Sequence, residues 1–474
     1  MPRLYHPRLR AARIKIGSFS WNNIRSRSPA LPSLGARDKQ RALAGGSRHL
    51  ASEWRAFLLG PTHRPYALLG LGQGGVAALS GAAVTIPLLI SAGLGAGLAT
   101  LVSVTVFAGP AAQLFVPALL RRSGGRLRRM TLASAAIGET RGLWLAPLAL
   151  LAGLNPGFSP LLIAGVILAT TLAGIFSGVT AANLQVWFAA ALPESERRLV
   201  APRVSGLGLA IGALVLLPTS IAVGLLQARF GAMVFVIPFL AAGAAGLLEL
   251  VVLVRLPNPG RVRVPRLPSS ERRPELPRFL RAASIAAFGS GLAPYYSVYA
   301  MAGLGVSAGV AIAISAFTSG VAVVASIIAA VLLVRRSSSR LLRRSYLLLG
   351  AGWLLMLGAL PVNPWALVVM LPAVGVISAG GALTQLATNE RLMRLAGRDA
   401  IAFQGRFVAV SAGAVTLGQS LAGALLVAAP GGALAFGALF VASGAARLLA
   451  AHRLEVSEVS TATLIMPVIV PSSR

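Results

Sequence analysis

From residue 66 to residue 452 the chain alternates apolar runs with short loops, and only every second loop is basic. A helix needs about 20 mostly apolar residues to cross roughly 30 Å of hydrocarbon. Twelve runs meet that length, over 66–89, 93–120, 130–153, 159–190, 203–228, 231–255, 280–303, 306–334, 343–360, 364–388, 404–428 and 432–452. The loops 121–130, 193–203, 255–281, 335–344 and 390–406 are rich in Arg, whereas the opposite set holds a single one, Arg229. A miscounted run would break this alternation part-way along, and it holds to the end. Basic residues are retained on the cytoplasmic side. Both termini are therefore expected in the cytoplasm, and the chain is expected to be multi-pass in the inner or plasma membrane.

Composition agrees. Charged residues make up 12% of the chain and mean hydropathy is +0.78, against roughly 25% charged in a soluble domain. The net charge of +31 would point to nucleic acid in a soluble protein. Here the basic residues sit between apolar runs, so a nucleic-acid partner is not expected and the bilayer is. There are no cysteines and four histidines, which leaves no thiolate chemistry and no expectation of a metal site. Glycine runs such as "GLGQGG" lie inside apolar helices, without the strand–turn–helix setting that phosphate binding demands. Neither cofactor nor enzyme activity is expected.

Residues 1–65 lack the apolar core of a secretory signal. They read as a basic cytoplasmic segment, with a transit peptide or an over-extended start as alternatives. Residues 66–256 and 280–453 then form two six-helix halves, 257–279 a cytoplasmic linker and 454–474 a disordered cytoplasmic tail.

The two halves repeat each other. Loops 121–129 and 335–344 both open Arg-Arg-Ser, two small residues, Arg. Loops 155–156 and 363–364 are both Asn-Pro, and the pairs Glu196/Arg203 and Asp399/Arg406 have the same spacing. Self-similarity at half the chain length is how many transporter folds are built. With Gly125-Arg126 and following basics after the second run, and Pro193-Glu-Ser-Glu-Arg197 after the fourth, residues 66–453 resemble the major facilitator superfamily. The loop Asp of that family is replaced by Arg122, and the Gly-Pro of its drug antiporters is absent from the fifth run, where Pro218 follows Leu217. The resemblance implies an all-α integral membrane fold of twelve transmembrane helices in two pseudo-symmetric halves. It implies a monomeric transporter of a small organic solute, secondary active or facilitative, working by alternating access. A cytoplasmic latch formed by Arg126, Arg203 and Arg406 with Glu196 and Asp399 is likewise implied. The alternative is a non-transporting scaffold, assembly or lipid-handling factor of the same build.

Within the runs, Glu139 and Arg141 stand out. Counted along the third run at 1.5 Å per residue, they lie on the order of 14–17 Å deep, where a lone charge costs about 2.5–3.5 kcal/mol. On a regular helix they diverge by roughly 200° and would not pair. Glu249 counts as nearer the cytoplasmic end of the sixth run, which leaves Arg141 without a carboxylate partner at its own level. An unpaired guanidinium at the midplane suggests an anionic substrate group, and Glu139 suggests a coupling proton. Gln73, among glycines, is a further substrate candidate. So are Tyr295 and Tyr299, which share a helix face at i and i+4.

Overall fold

The computed structural model describes residues 54–464 apart from 105–107, 156–158, 193, 261–274, 294–295, 336, 361–364, 397–399 and 430–431. Two units divide the chain. The first ends at Gly60, and its described part holds a helical turn over 54–59. The second, from Pro61 onward, contains all twelve spans. Every regular element among the described residues is helical.

Span 1 comprises Arg64–Leu79 and Ala82–Ser91, and span 2 comprises Ala96–Ser103, Ala108–Ala112 and Val116–Arg122. Span 3 comprises Leu127–Gly138 and Arg141–Leu154, span 4 Ser159–Ala191, span 5 Glu194–Phe230 and span 6 Val236–Arg255 after a 3-10 turn. In the second half, span 7 comprises Glu275–Leu292 and a short segment from Tyr296 to Gly303, and span 8 is Ala308–Arg335. Span 9 is Ser338–Leu355, span 10 Ala366–Ala396, span 11 Ala400–Ala428 and span 12 Ala433–Leu464. The last helix therefore runs well into the segment read from sequence as a disordered tail.

Seven helical segments are long and apolar enough to cross a membrane, and one of them, Arg203–Arg255, takes in spans 5 and 6 together. Spans 2, 3, 7 and 9 fall outside those segments. Leu214, Leu217, Ile221 and Leu225 on span 5, and Leu417, Leu421 and Leu425 on span 11, form exposed apolar stripes. Such stripes suit a lipid solvent, and the chain is a multi-pass membrane protein.

Two buried apolar clusters form the core, the first of which also takes in Ala308, Ile312 and Ala316 of span 8. Val84, Leu88, Leu145, Phe235 and Phe239 centre the first; Tyr299, Trp353, Met356, Phe436 and Phe440 centre the second. Where the halves meet, the closest contacts lie at the end away from the basic loops. A Cβ on Gly97 of span 2 would lie 2.5 Å from the Val427 nitrogen of span 11, and Gly423 faces Leu101. A Cβ on Gly309 of span 8 would meet Gly224 and the Ser220 carbonyl of span 5. Gln419 Nε2 donates to Ser103 Oγ at 2.8 Å, both residues buried. Span 2 follows span 11 as far as Phe115, then makes at most isolated contacts with it over Val116–Arg122. On span 11 itself, Gly413 and Gly405 have nothing within 4 Å of where a Cβ would stand.

Candidate functional site

Two helix breaks face each other. Span 1 breaks at Ser80–Gly81, where the side chain of Ser80 donates to the Val76 carbonyl at 2.6 Å. Span 3 breaks at Glu139–Thr140, the two residues between its helical segments. A break frees backbone groups that lipid cannot satisfy, so side chains from neighbouring helices must do it. Arg141 bridges the two breaks. Its Nε donates to Ser80 Oγ at 2.7 Å and its Nη2 to the Val76 carbonyl at 3.4 Å, while Nη1 reaches Ser177 Oγ of span 4 at 3.2 Å.

Ser177 in turn hydrogen-bonds the Glu139 carboxylate, and Glu139 and Arg141 act on each other electrostatically. The helix is not regular between them, yet no ion pair joins them among the described residues. The reading of Arg141 as lacking a carboxylate on another helix is corrected. Glu249 on span 6 acts on both Glu139 and Arg141, so Arg141 does have a carboxylate neighbour on another helix. Gly246, one turn before Glu249, packs so closely on span 3 that a Cβ there would lie 2.0 Å from the Glu139 carbonyl oxygen. Counting residues from a loop measures distance along a helix axis, and tilted helices bring different counts to one level.

Gln73 joins the same cluster. Its Nε2 donates to Glu249 Oε1 at 3.3 Å, and Gly72 beside it leaves room for the Glu249 side chain. Glu249 is fully buried, and its Oε2 has no hydrogen-bond partner among the described residues. Spans 1, 3, 4 and 6 thus converge on one guanidinium, two carboxylates, an amide and two hydroxyls.

The remaining sequence candidates lie elsewhere. Tyr299 is 1% exposed, packs edge-to-face on Phe436 and Phe440 and donates its hydroxyl to the Ala359 carbonyl. It belongs to the aromatic core of the second half. Tyr295 and Asp399 lie outside the described residues. Arg126 and Arg406 are exposed at the basic end, with Glu196 and Arg203 half-buried there. Sequence reasoning also passed over Arg447 on span 12, which is buried between spans 7 and 9. Its position among the basics near the end of the last run concealed it.

Sequence comparison finds no match, either to a family model or to a curated protein. Structure comparison does. The xylose transporter XylE from E. coli, in a partially occluded inward-open conformation, superposes with a TM-score of 0.64 at 14% identity, covering 85% of this chain and 98% of that one. A bacterial homologue of the iron transporter ferroportin, inward-facing, gives 0.62 at 14% identity over 83% and 98%. A POT family transporter in complex with a thioalcohol-conjugated peptide gives 0.61 at 14% over 85% and 98%. The fold is that of the major facilitator superfamily. In the major facilitator arrangement, as in other transporters built from repeats, discontinuous helices near mid-membrane mark the place where solute and coupling ions are handled. Spans 1 and 3 are discontinuous helices, broken at Ser80–Gly81 and Glu139–Thr140.

Proposed function

We propose that this chain is a secondary transporter that moves a small organic solute across the bilayer by rocking its two six-helix halves. One observation carries the reading: among the described residues, span 2 packs closely on span 11 at the end away from the basic loops and leaves it toward the basic end. Taking the basic end as cytoplasmic, the conformation is inward-facing, in keeping with the inward-facing relatives in fold. The cycle then requires the Gly97–Val427, Gly309–Gly224 and Ser103–Gln419 contacts to open while the basic loops close. In this proposal Arg126, Arg203 and Arg406 form that closure with Glu196 and Asp399.

The named neighbours are a xylose transporter, a homologue of an iron transporter and a transporter bound to a conjugated peptide, so the fold does not select the solute. Sequence alone favoured an anionic group on Arg141. With all three of its nitrogens engaged and two carboxylates beside it, Arg141 is better read as the residue that holds both breaks in place. Two carboxylates around one guanidinium leave an opening for one mobile positive charge, either a proton or a cationic group of the solute. Glu139 and Glu249 are its carriers in this proposal.

The test begins with a thermal-shift panel of anionic, neutral and cationic solutes on purified protein. A ligand at about a hundred times its dissociation constant adds roughly 2.7 kcal/mol. A solute that stabilises the protein is then followed into proteoliposomes. Transport requires exchange of that solute in the absence of any gradient. If protons are coupled, Glu139→Gln and Glu249→Gln keep exchange but lose accumulation driven by a pH gradient. A protein that binds no solute and exchanges none is a scaffold, and the proposal falls.

A further inference from the structure

Arg447 is 4% exposed. Its Nη1 donates to the carbonyls of Gly289 at 2.9 Å and Ser443 at 3.1 Å and to Ser443 Oγ, and its Nη2 donates to Ser290 Oγ at 2.9 Å. The guanidinium carbon stands 5.6 Å from the centroid of the Trp353 ring, on which Tyr296 stacks at 5.9 Å. The titratable groups that act on it are the phenols of Tyr296 and Tyr346. Its named partners are carbonyls, hydroxyls and aromatic rings.

Two donors in this cluster have no acceptor among the described residues, Arg447 Nε and Trp353 Nε1, and both are buried. A guanidinium taken out of water without a negative partner is costly even when its hydrogen bonds are made. A ring face offsets part of that cost. An unsatisfied buried N–H adds to it. One ligand would remedy both deficits, a negatively charged acceptor lying within reach of Nε–H and Nε1–H. A dianion would bring a second charge with one cation to meet it, and a bulky anion has little room among packed rings. We propose that spans 7, 9 and 12 hold a small monovalent anion of the halide class, bound by Arg447 and Trp353 as the counterion of Arg447. The first half needs none, because its own buried guanidinium has Glu139 and Glu249.

The experiment uses full-length protein purified throughout in gluconate buffer, since a buried ion can be trapped during preparation. Chloride, bromide or iodide is then titrated at constant ionic strength, and unfolding temperature and tryptophan fluorescence are followed. A halide-dependent rise in unfolding temperature that saturates, with a matching fluorescence change, is expected in the wild type. Both responses should vanish in Arg447→Gln and persist in Thr171→Val, a polar change on span 4 whose hydroxyl bonds only its own helix. Should Arg447→Gln fail to fold, Trp353→Phe keeps the ring and removes one donor, and is expected to weaken halide affinity about tenfold. Equal unfolding temperatures in gluconate and in every halide would overturn the proposal. So would a halide response of unchanged midpoint in both variants.

Discussion

The two halves place opposite charges on equivalent backbone. Gly246 of span 6 lies against the Glu139 carbonyl of span 3, and Gly444 of span 12 lies against the Gly350 carbonyl of span 9. Three residues beyond each glycine stands a buried charged side chain, Glu249 in the first half and Arg447 in the second. Each turns toward the opening helix of its own half, Glu249 to Gln73 and Arg447 to Gly289 and Ser290. The surroundings differ as much as the charges. Glu249 is hydrogen-bonded to Gln73 and lies within electrostatic reach of a second carboxylate and a guanidinium, while Arg447 sits among Trp353, Tyr296 and Tyr346. The repeat has conserved the way helices pack and has let the chemistry at a packed position diverge. In a fold that works by moving two similar halves, such divergence can make one half the seat of coupling and leave the other an anchor.

The largest expected effect tests whether the first-half cluster is a balanced unit. Arg141→Ala removes the hydrogen bonds to Ser80, Ser177 and Val76 and strands two carboxylates, so it should cost about 3–5 kcal/mol. Thermal unfolding in detergent measures this. Arg141→Lys should recover little, because one ammonium cannot span donors directed at two other helices. Combining Arg141→Ala with Glu249→Gln should give back part of the loss, a coupling of about 0.5–3 kcal/mol. Strict additivity would mean that Glu249 belongs to span 6 packing alone, and the contrast with Arg447 would lose its meaning.

What the sequence made legible follows the same division. Twelve apolar runs, the loop charges and the Asn-Pro and Arg-Arg-Ser repeats mark out the spans and the two halves, because lipid and topology act on whole segments. Glu139, Arg141 and Gln73 are visible as polar residues in apolar runs, and the structure brings all three into one cluster. Their partners were not visible. Ser80 and Ser177 look like ordinary small residues until span 1 is seen to break, and Glu249 falls at the wrong level when depth is counted along an untilted helix. Tyr299 illustrates the reverse error: i and i+4 spacing identifies a shared face but not whether that face meets a solute or Phe436 and Phe440.

A second, smaller effect concerns the seam between the halves. Gly97→Val places side-chain atoms where Val427 stands, an overpacking that costs about 1–3 kcal/mol only when the far end is closed. The ratio of the two conformations should shift by roughly tenfold toward the state with the far end open. The chain contains no cysteine, so label pairs introduced on the loops can report distance at each end. Longer far-end distances with shorter basic-end distances are expected. An increase at the far end alone would indicate local prying, and alternating closure of the two ends would lose its support. Gln419→Leu should act in the same direction and more weakly, since it removes one cross-half hydrogen bond worth about 0.5–1.5 kcal/mol.

The smallest effect examines how deep the repeat goes. Thr180 of span 4 donates to Ser134 Oγ of span 3 at 2.8 Å, and Thr384 of span 10 donates to Ser345 Oγ of span 9 at 2.9 Å. Each serine passes its own proton to the carbonyl three residues back, Thr131 in one half and Leu342 in the other. Thr180→Val and Thr384→Val preserve shape and delete one hydroxyl each, so each should cost about 0.5–1.5 kcal/mol. Being in different halves, the two should add within about 0.3–0.5 kcal/mol. Equal losses would mean that spans 3–4 and 9–10 remain energetically interchangeable although spans 6 and 12 have exchanged the sign of their buried charge. A loss confined to Thr180 would tie that hydroxyl to the Ser177–Glu139 cluster one turn away on the same helix, and the asymmetry of the halves would then begin at span 4 rather than at span 6.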